Sequence, residues 1–469
     1  MMDDAAQYNE SFFALSDNER VALVGELEAA SRKRGFWYYP DHQEPPQPHP
    51  IALTPLIFPR ELLGDAHEFA RAVSKFQSRL PELWLSNFGD IRKIFPLHAR
   101  TAQWMKRFHR IRSTPDDLFI RLDVGISVDP ENSRPRLTLF ENNSLALAGI
   151  FNHTVGAALL QNVAWPRITR GRTLPKLVPA PNLIEMTSGW IKSRIGSSPL
   201  GSNNKNKPWN LFILDDPKFI KTGSEFRLLA HEFTRRGIPT THGHIGDLDI
   251  SNGRVTYGNS PISAAWRDLA YHEVALPTTH RATAPFFQLL NEDRILHGFG
   301  SDFVHKGLLE CFTNPLYRAF FSQEQWGLFS RTVPWTRVLW NRQTTDPQGN
   351  EVELLEFLRA HQHSIVLKPN ASFGGHGVVL GPVVLANEWS AALDVAWYQP
   401  FQWVAQEYVE LQPQETVFVQ NGSIIETPCF AAFGLFYCHD TLGLHGRIGS
   451  QRVVNVAKGG ALACVYLLE

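Results

Sequence analysis

The spacing of apolar residues predicts helices in the first quarter of the chain. Ser16-Asp-Asn-Glu19 has the form of a capping box, and the apolar residues that follow it recur three and four positions apart before Gly35. This pattern predicts a helix that begins after Ser16 and ends at Gly35. Another helix is expected around residues 60–80. We therefore expect residues 1–115 to form a mainly helical N-terminal region.

An alternation of strand and helix is clearest between residues 210 and 240. Leu211-Phe-Ile-Leu214 predicts a short buried strand, and a helix with one apolar face follows Ser224. Ile238-Pro-Thr-Thr241 begins the next strand, which completes a strand–helix–strand unit of a parallel sheet. The polar residues 196–208 before this unit predict a loop or a domain edge.

The pattern of residues in two further segments predicts strands at 119–128 and 136–144. The residues between them, 129–135, are typical of a turn. We expect the two strands to pair. The alternative to a binding site on these strands is a surface hairpin whose charged side chains are merely solvated.

Pairing of these strands would bring four polar side chains together. Side chains on a strand alternate between its two faces, so Arg121 and Asp123 share a face, and so do Glu141 and Asn143. Two carboxylates and an amide oxygen suit Mg²⁺, which proteins usually share with substrate phosphates. The four residues therefore predict a site where a magnesium ion and an arginine lie close together.

A glycine-bearing loop follows a β-branched run at residues 365–377, Ile-Val-Leu-Lys-Pro-Asn-Ala-Ser-Phe-Gly-Gly-His-Gly. The run predicts a strand that ends near Lys368. Glycines let backbone N–H groups approach a polyphosphate, and lysine adds a positive charge, so the segment predicts a nucleotide triphosphate site. It matches neither the P-loop pattern nor the GxGxxG pattern of dinucleotide-binding proteins. A plain surface turn is the alternative.

The overall composition narrows the class of protein. The chain has 469 residues, enough for two or three domains, and its formal net charge of −1 gives no reason to expect nucleic-acid binding. Because no signal peptide and no run of about 18 apolar residues is present, we expect no membrane association and a cytoplasmic location. The four cysteines form no CxxC pair, and we expect them to be buried free thiols.

Two histidines form a weaker pattern for metal binding. In Thr241-His-Gly-His244 they would share one face of a strand, with Asp247 nearby. Because this spacing is common by chance and no third histidine is close in sequence, a zinc site is the less favoured interpretation.

Together the Arg-x-Asp strand, the Glu-x-Asn strand and the Lys-Pro loop resemble the ATP-grasp superfamily. More narrowly, they resemble its circularly permuted branch, which includes glutathionylspermidine-synthase-like proteins. In that branch the two metal-site strands precede the lysine, as residues 121–143 precede Lys368 here. The resemblance covers most of residues 50–469. Three further segments fit it: Leu214-Asp-Asp-Pro217, Val404-Ala-Gln-Glu-Tyr-Val409 and Val454-Asn-Val-Ala-Lys-Gly-Gly460.

The resemblance implies an α/β fold, α+β in parts. This would be a permuted ATP-grasp fold with a small Rossmann-like parallel-sheet domain and the helical N-terminal region at residues 1–115. The metal-binding part of the core is expected at 116–195 and the Rossmann-like domain at 196–290. The lid, the adenine hinge and the C-terminal core segment are expected at 291–469. Arg267 stands where the family places a basic residue that faces the cleft.

The resemblance also implies an activity, that of an ADP-forming ligase. Such an enzyme uses ATP and Mg²⁺ to join a carboxylate to an amine through an acyl phosphate, and Arg121 would face the charge that develops. The substrates would be a small-molecule or peptide acid and amine, and a homodimer is compatible with the pattern. The implied metal ligands are Asp123, Glu141 and Asn143. The implied nucleotide-binding residues are Lys368, Ser372, Gly374, Gly375, Gly377, Gln406, Glu407, Tyr408 and Val409.

One departure from the family pattern concerns a second lysine. ATP-grasp proteins usually present two lysines to the nucleotide, and the earlier one is expected in a helix after Leu308-Leu309, where Asn314-Pro315 stands instead. Lys306 and Arg318 are the alternatives. Two other functions stay open: a non-catalytic ATP-binding scaffold with a degenerate site, which the missing lysine motivates, and a small-molecule kinase.

Overall fold

The computed structural model describes residues 2–38, 46–109, 118–129, 133–145, 147–196, 210–221, 225–274, 280–372, 374–456 and 459–469. The helices in these ranges are α1 Met2–Phe13, α2 Asp17–Arg34, α3 Leu63–Leu85, α4 Ile91–Ile94, α5 Ala99–Phe108, α6 Ile150–Leu159, α7 Trp165–Ile168, α8 Leu183–Gly196, α9 Pro217–Lys221, α10 Glu225–Arg235, α11 Tyr271–Val274, α12 His280–Asn291, α13 Leu308–Thr313, α14 Gln323–Thr332, α15 Leu354–Ala360 and α16 Ala386–Trp397. The strands are β1 Trp37–Tyr38, β2 Gln47–Pro48, β3 Ile51–Ala52, β4 Leu56–Ile57, β5 Ile120–Val128, β6 Pro135–Asn143, β7 Leu177–Pro179, β8 Leu211–Leu214, β9 Thr240–Gly243, β10 Leu248–Ser251, β11 Arg254–Tyr257, β12 Ser260–Pro261, β13 Ala264–Arg267, β14 Thr336–Val338, β15 Gln343–Thr345, β16 Glu351–Glu353, β17 Ile365–Pro369, β18 Val379–Leu380, β19 Trp403–Glu407, β20 Gln414–Gln420, β21 Ser423–Cys438, β22 Thr441–Gly449, β23 Ala461–Leu462 and β24 Val465–Leu468.

The helix α2 begins and ends at the predicted residues. The Ser16 hydroxyl accepts a hydrogen bond from the backbone N–H of Glu19, and the Glu19 carboxylate accepts one from the backbone N–H of Ser16. At the other end Gly35 has a φ of 70°, a left-handed conformation that glycine adopts without strain. The prediction for this helix is confirmed, and the helix expected around residues 60–80 is α3.

A seven-stranded sheet has the strand order β20-β3-β23-β22-β21-β5-β6. Neighbouring strands in it are antiparallel except β3 and β23, which are parallel. Ile120, Leu122 and Val124 of β5 lie in the main hydrophobic core together with apolar side chains of α3. Because side chains alternate along a strand, Arg121 and Asp123 lie on the opposite face of the sheet.

The predicted strand–helix–strand unit is confirmed as a three-stranded parallel sheet in the order β13-β8-β9. The helix α10 lies between β8 and β9 in sequence and buries its apolar face. The strand β9 begins at Thr240 rather than Ile238, because Pro239 has no N–H to donate to a sheet. Ser224 and residues 197–209 lie outside the described residues, so the predicted polar loop is not part of this description beyond Gly196.

A four-stranded antiparallel sheet, β14-β19-β17-β18, contains the predicted lysine strand. The helices α15 and α16 pack on it through a hydrophobic core of their own. Glu310 of α13 is fully buried beside this sheet. Its carboxylate accepts a 2.7 Å hydrogen bond from the backbone N–H of Val338 and two of 2.8 Å from the Arg342 guanidinium group. These bonds join α13 to the end of β14.

The fold is thus mixed α/β, with helices packed on several sheets. The predicted domain boundaries after residues 115, 195 and 290 stay predictions. Within the described ranges, every helix is too short or too polar to span a lipid bilayer. The prediction for the cysteines is confirmed, since all four are buried and free: Cys311, Cys429, Cys438 and Cys464.

Candidate functional site

A cavity of about 330 Å³ lies between the seven-stranded sheet and the four-stranded sheet that contains β17. It brings together most of the predicted site residues, although they come from distant parts of the sequence. The predicted residues that line it are Arg121, Asp123, Glu141, Asn143, Lys368, Gly374, Gly375, Gln406, Glu407, Tyr408 and Val409. Ser372 and Gly377 are not among its lining residues.

The pairing of β5 with β6 places Arg121 opposite Asn143 and Asp123 opposite Glu141. The predicted strand pairing is therefore confirmed. Immediately after Asp123 the register shifts, and Phe140 of β6 has no opposite residue on β5. Such a β-bulge redirects nearby side chains and is frequent beside functional sites. The alternation of residues in the sequence does not predict it.

Two arginines hold the Asp123 carboxylate. Arg121 Nε lies 2.8 Å from Oδ1, and Arg447 Nη2 lies 2.8 Å from Oδ2. The side-chain nitrogen of Asn143 adds a longer hydrogen bond of 3.3 Å to Oδ2. Burial opposes the ionisation of Asp123, but the charges of Arg121 and Arg447 outweigh it and hold the pKa of Asp123 below its ordinary value. The ionised carboxylate thus fixes both guanidinium groups at the cavity wall.

Arg447 is a residue of this cavity that the sequence patterns do not identify. It lies on β22 beside buried apolar residues such as Leu444 and Ile448. The only indication of a functional role in the local sequence is that a single arginine lies within such a strand. Arg447 reaches Asp123 because β22 pairs with β21 and β21 pairs with β5.

The magnesium site expected at Glu141 and Asn143 stays a prediction, and Glu141 is paired with Lys306. Among the described residues, no three His, Cys, Asp or Glu side chains form a metal-binding group. Since Asp123 accepts hydrogen bonds from two guanidinium groups, the donors that would hold Mg²⁺ are the Glu141 carboxylate and the Asn143 Oδ1 atom. One or two carboxylates completed by substrate phosphates are a usual set for this ion. Asp123 as a third ligand stays a prediction, and its arginine partners weigh against it.

Lys368 extends from β17 towards the bulge in β6. Its Nζ atom donates hydrogen bonds to the Gln406 side-chain oxygen and, at 3.5 Å, to the backbone oxygen of Phe140. The same atom lies 5.7 Å from the centre of the Phe140 ring. The bulge therefore forms part of the surface against which this lysine rests.

Lys306 is a second lysine of the cavity. Its Nζ atom lies 3.2 Å from Glu141 Oε1 and donates a hydrogen bond to the backbone oxygen of Ser372. The other alternative, Arg318, is not among the lining residues and lies over the Trp326 ring. Lys306 and Lys368 therefore both line the cavity, although the position expected from the family pattern holds no lysine.

Asn370 connects the segments that carry the two lysines. This fully buried residue accepts a 2.8 Å hydrogen bond from the Gly307 N–H at its Oδ1 atom. Its backbone oxygen accepts one of 2.8 Å from the Lys306 N–H. Its side-chain nitrogen donates to two backbone oxygens of other segments. Because Asn370 follows Lys368 by two positions, these bonds fix the positions of the two lysines relative to each other.

The loop after Lys368 has a backbone that requires glycine. Gly374, Gly375 and Gly377 have φ values of 71°, 70° and 72°, which other residues adopt only with strain. The side-chain nitrogen of Asn455 donates a 2.8 Å hydrogen bond to the Gly374 oxygen, so the predicted C-terminal segment contacts this loop. Three residues of these predicted segments lie outside the described residues: Phe373, Ala457 and Lys458.

The predicted adenine hinge runs along the cavity wall. Gln406 and Glu407 end β19, and Tyr408 and Val409 continue past it. The backbone N–H groups of Glu407 and Tyr408 donate 2.8 Å hydrogen bonds to carbonyl groups of neighbouring segments. The role of residues 406–409 in binding adenine stays a prediction.

Arg267 does not face this cavity. Its side chain is fully buried, and its Nη2 atom lies 2.6 Å from Asp302 Oδ2. It also donates hydrogen bonds to the backbone oxygens of Leu269 and Gly298. The expectation that Arg267 faces the cleft is therefore wrong, because its guanidinium group forms an internal ion pair with Asp302.

The prediction that His242 and His244 share one face of a strand is wrong. The strand β9 ends at Gly243, and the His244 ring turns back to accept a hydrogen bond from the Gly246 N–H. His242 Nε2 lies 2.9 Å from Asp215 Oδ2. The two imidazoles therefore make separate local contacts.

The cavity carries a net positive charge. Of the described residues that line it, five are basic and three are acidic, which gives these residues a net formal charge of +2. A positively charged, partly enclosed cavity favours an anionic ligand. The basic residues are Arg121, Lys306, Lys368, Arg447 and Arg452, and the acidic ones are Asp123, Glu141 and Glu407.

Comparison with protein-family models finds no match for this sequence, and comparison with curated proteins finds none either. Among solved structures, the protein is similar to a glutathione synthetase-like effector from Globodera pallida in its apo form. The TM-score is 0.63 at 13% sequence identity, and the match covers 97% of this chain and 98% of that chain. At this identity the likeness shows the fold alone. It extends over nearly the whole chain, whereas the resemblance to the permuted ATP-grasp branch stays a prediction.

Proposed function

We propose that the protein is an ATP-dependent, ADP-forming ligase that joins a carboxylate to an amine. The proposal rests on the arrangement of charged side chains in one positively charged cavity. There Lys306 lies 3.2 Å from Glu141, Lys368 lines the same cavity, and Arg121 and Arg447 are held by Asp123. The likeness to a glutathione synthetase-like fold supports the proposal at the level of fold.

In this proposal the two lysines and the glycine loop bind the phosphates of ATP. Lysine supplies point charges, and the loop after Lys368 lets its backbone approach the phosphate oxygens. Glu141 and Asn143 would hold Mg²⁺, which, when bound, neutralises charge on the phosphates. Lys306 already contacts both Glu141 and the Ser372 backbone. It can therefore couple the position of the loop to that of the phosphates.

The substrate carboxylate would attack the γ-phosphorus atom of ATP to give an acyl phosphate and ADP. An amine then attacks the acyl carbon, and phosphate leaves from the tetrahedral intermediate. Arg121 and Arg447 face the negative charge of both steps, and charge that is already in position stabilises a transition state most. Closure of residues 372–377 would exclude water, which hydrolyses acyl phosphates. The acid and the amine would be small molecules or peptides.

Thermal unfolding with ATP, in the presence and absence of Mg²⁺, tests the binding part of this proposal. A ligand that binds only the folded state raises the unfolding midpoint, so we expect ATP to raise it by several degrees and Mg²⁺ to increase the rise. Glu141→Gln should keep the effect of ATP and lose the increase with Mg²⁺. Asp123→Asn should keep that increase if Asp123 mainly holds the arginines. An unchanged midpoint in wild type under every condition would contradict ATP binding.

ADP release from a panel of acids and amines tests the chemistry. Release that requires both an acid and an amine supports a ligase, whereas release with the acid alone indicates a kinase. ATP binding without any ADP release indicates a non-catalytic scaffold. The lysine missing near Pro315 was the reason to consider a scaffold, and the presence of Lys306 in the cavity weakens that reason.

The affinity for MgATP is expected to fall with rising pH because of Lys368. Burial, together with the charge of Lys306, lowers the pKa of Lys368 to about 8. Phosphate favours the protonated lysine, so binding above this pKa requires uptake of a proton. We expect the dissociation constant to rise roughly tenfold between pH 7 and pH 9. Lys368→Arg stays charged and should show little change, and an equal pH dependence in both proteins would exclude Lys368 as the cause.

A further inference from the structure

Arg121 has a second contact in addition to Asp123. Its Nη1 atom donates a 2.9 Å hydrogen bond to the backbone oxygen of Ala148, which also lines the cavity. The next residue, Gly149, has a φ of 104°, and a Cβ atom there would lie 2.7 Å from His445 Nε2. The Ala148–Gly149 turn is thus packed tightly against β22 in a conformation that requires glycine. The direction of the Arg121 guanidinium group depends on where this turn lies.

Glu225 holds this turn from a different part of the fold. It is the first residue of α10, beside the three-stranded parallel sheet. Its Oε1 atom accepts a 2.8 Å hydrogen bond from the Gly149 N–H, and its Oε2 atom accepts one of 2.8 Å from the Asn152 side chain. Because Gly149 caps α6 without a side chain, the Glu225 carboxylate supplies the acceptor that the start of α6 needs.

The electrostatic surroundings connect Glu225 to Arg121 as well. Burial raises the pKa of Glu225 to about 7, and the N–H groups of Gly149 and Ile150 and the charge of Arg121 oppose this rise. The charge of Glu225 in turn favours the protonated form of Arg121. The carboxylate therefore interacts with the arginine through the turn and through space.

We propose that Glu225 is a positioning residue for Arg121, which it orients through the Ala148–Gly149 turn. The proposal rests on the proposed function, in which Arg121 faces the reacting groups. It gives the parallel-sheet unit a part in the chemistry, although Glu225 does not line the cavity. Glu225 contacts neither lysine in this arrangement, so its loss should affect the chemical step and leave nucleotide binding intact.

The first test compares Glu225→Gln and Glu225→Ala with the control Glu232→Gln. Glu232 lies on the same helix and pairs with Arg235 and Arg236 at its surface. With an acid–amine pair that supports ADP release, we expect kcat to fall roughly tenfold in Glu225→Gln and roughly 100-fold in Glu225→Ala. The KM for ATP should stay within about threefold of the wild-type value, and Glu232→Gln should match wild type.

A double variant distinguishes a role of Glu225 in positioning Arg121 from a role that is independent of Arg121. If Glu225 acts through Arg121, the variant Arg121→Ala/Glu225→Ala should be no slower than Arg121→Ala alone. Losses that multiply in the double variant would overturn the proposal. A fall in ATP affinity as large as the fall in kcat would overturn it as well, because that result would indicate general damage to the fold.

Failure of the proposed function would give a different result. If wild type releases no ADP with any acid–amine pair, the proposed ligase activity is wrong. The coupling between Glu225 and Arg121 is then tested by thermal unfolding alone. The unfolding midpoints of wild type, Glu225→Gln, Arg121→Met and the double variant form a cycle. A loss in the double variant clearly smaller than the sum of the single losses supports the coupling, and simple additivity overturns it.

Discussion

Arg121→Ala is expected to lower the rate of the proposed ligation by roughly 100- to 1000-fold, because it removes a positive charge that faces the charge developed in both steps. Asp123 and the Ala148 backbone oxygen hold this guanidinium group in place before any substrate binds. No reorganisation is then needed during the reaction, which is where such a group contributes most. Steady-state ADP release with an acid–amine pair measures the effect.

A variant of a second arginine in the cavity provides the matched control for Arg121→Ala. Arg452 also lines the cavity, but its side chain is 43% exposed and pairs with Glu410 at 3.1 Å. Arg452→Ala should therefore lower the rate by less than about threefold. MgATP affinity should stay nearly unchanged in Arg121→Ala, since both lysines remain. Equal rate losses in the two variants would show that Arg121 contributes only to the general charge of the cavity.

Glu310→Ala is expected to lower the free energy of unfolding by about 3–5 kcal/mol, because it removes one partner of a buried ion pair. Both nitrogens of the Arg342 fork donate 2.8 Å hydrogen bonds to this carboxylate, and the Val338 N–H donates a third bond. The variant leaves a charged guanidinium group and a backbone N–H without their acceptor in the interior. Denaturant unfolding, followed by the fluorescence of the tryptophans, measures the change.

A surface ion pair provides the control for this stability prediction. Glu232 pairs with Arg235 and Arg236 on α10, where its side chain is 17% exposed and Arg235 is 65% exposed, so water screens these charges more than it screens Glu310, which is 0% exposed. Glu232→Ala should cost less than about 1 kcal/mol. If Glu310→Ala cost no more than Glu232→Ala, the buried network beside β14 would not be the support that its geometry indicates.

The strands of the site were predictable because their signals are local. The alternation around Arg121 and Glu141 places both pairs of polar side chains correctly, and β5 and β6 lie within about one residue of their predicted bounds. The sequence signal for the strand that carries Lys368 is equally local, because β-branched residues precede this lysine and glycines follow it. Short-range periodicity was sufficient for these elements, and it also identified α2 and the parallel unit.

Other parts of the site depend on contacts that the sequence does not encode locally. Asp123 and Arg447 meet only through two strand pairings, and no pattern near Arg447 indicates its partner. From the sequence, Lys306 was one of two alternatives for the second lysine of the site, and only the fold shows that it lies beside Glu141. The bulge at Phe140 changes the register by one residue, which alternation cannot reveal. His244 was misplaced because the strand ends one residue earlier than its pattern suggests.

The strand order of the large sheet has a consequence for biosynthesis. The strand β5 is complete at Val128, but its neighbour β21 begins only at Ser423. At roughly 5–20 residues per second, a ribosome needs about 15 to 60 s to make the intervening polypeptide. During this time one edge of β5 lacks its native neighbour, and bare strand edges pair readily with other chains. The nascent protein thus acquires its complete cavity only after Ser423–Cys438 has been made, and until then this edge of β5 is open to pairing with other chains.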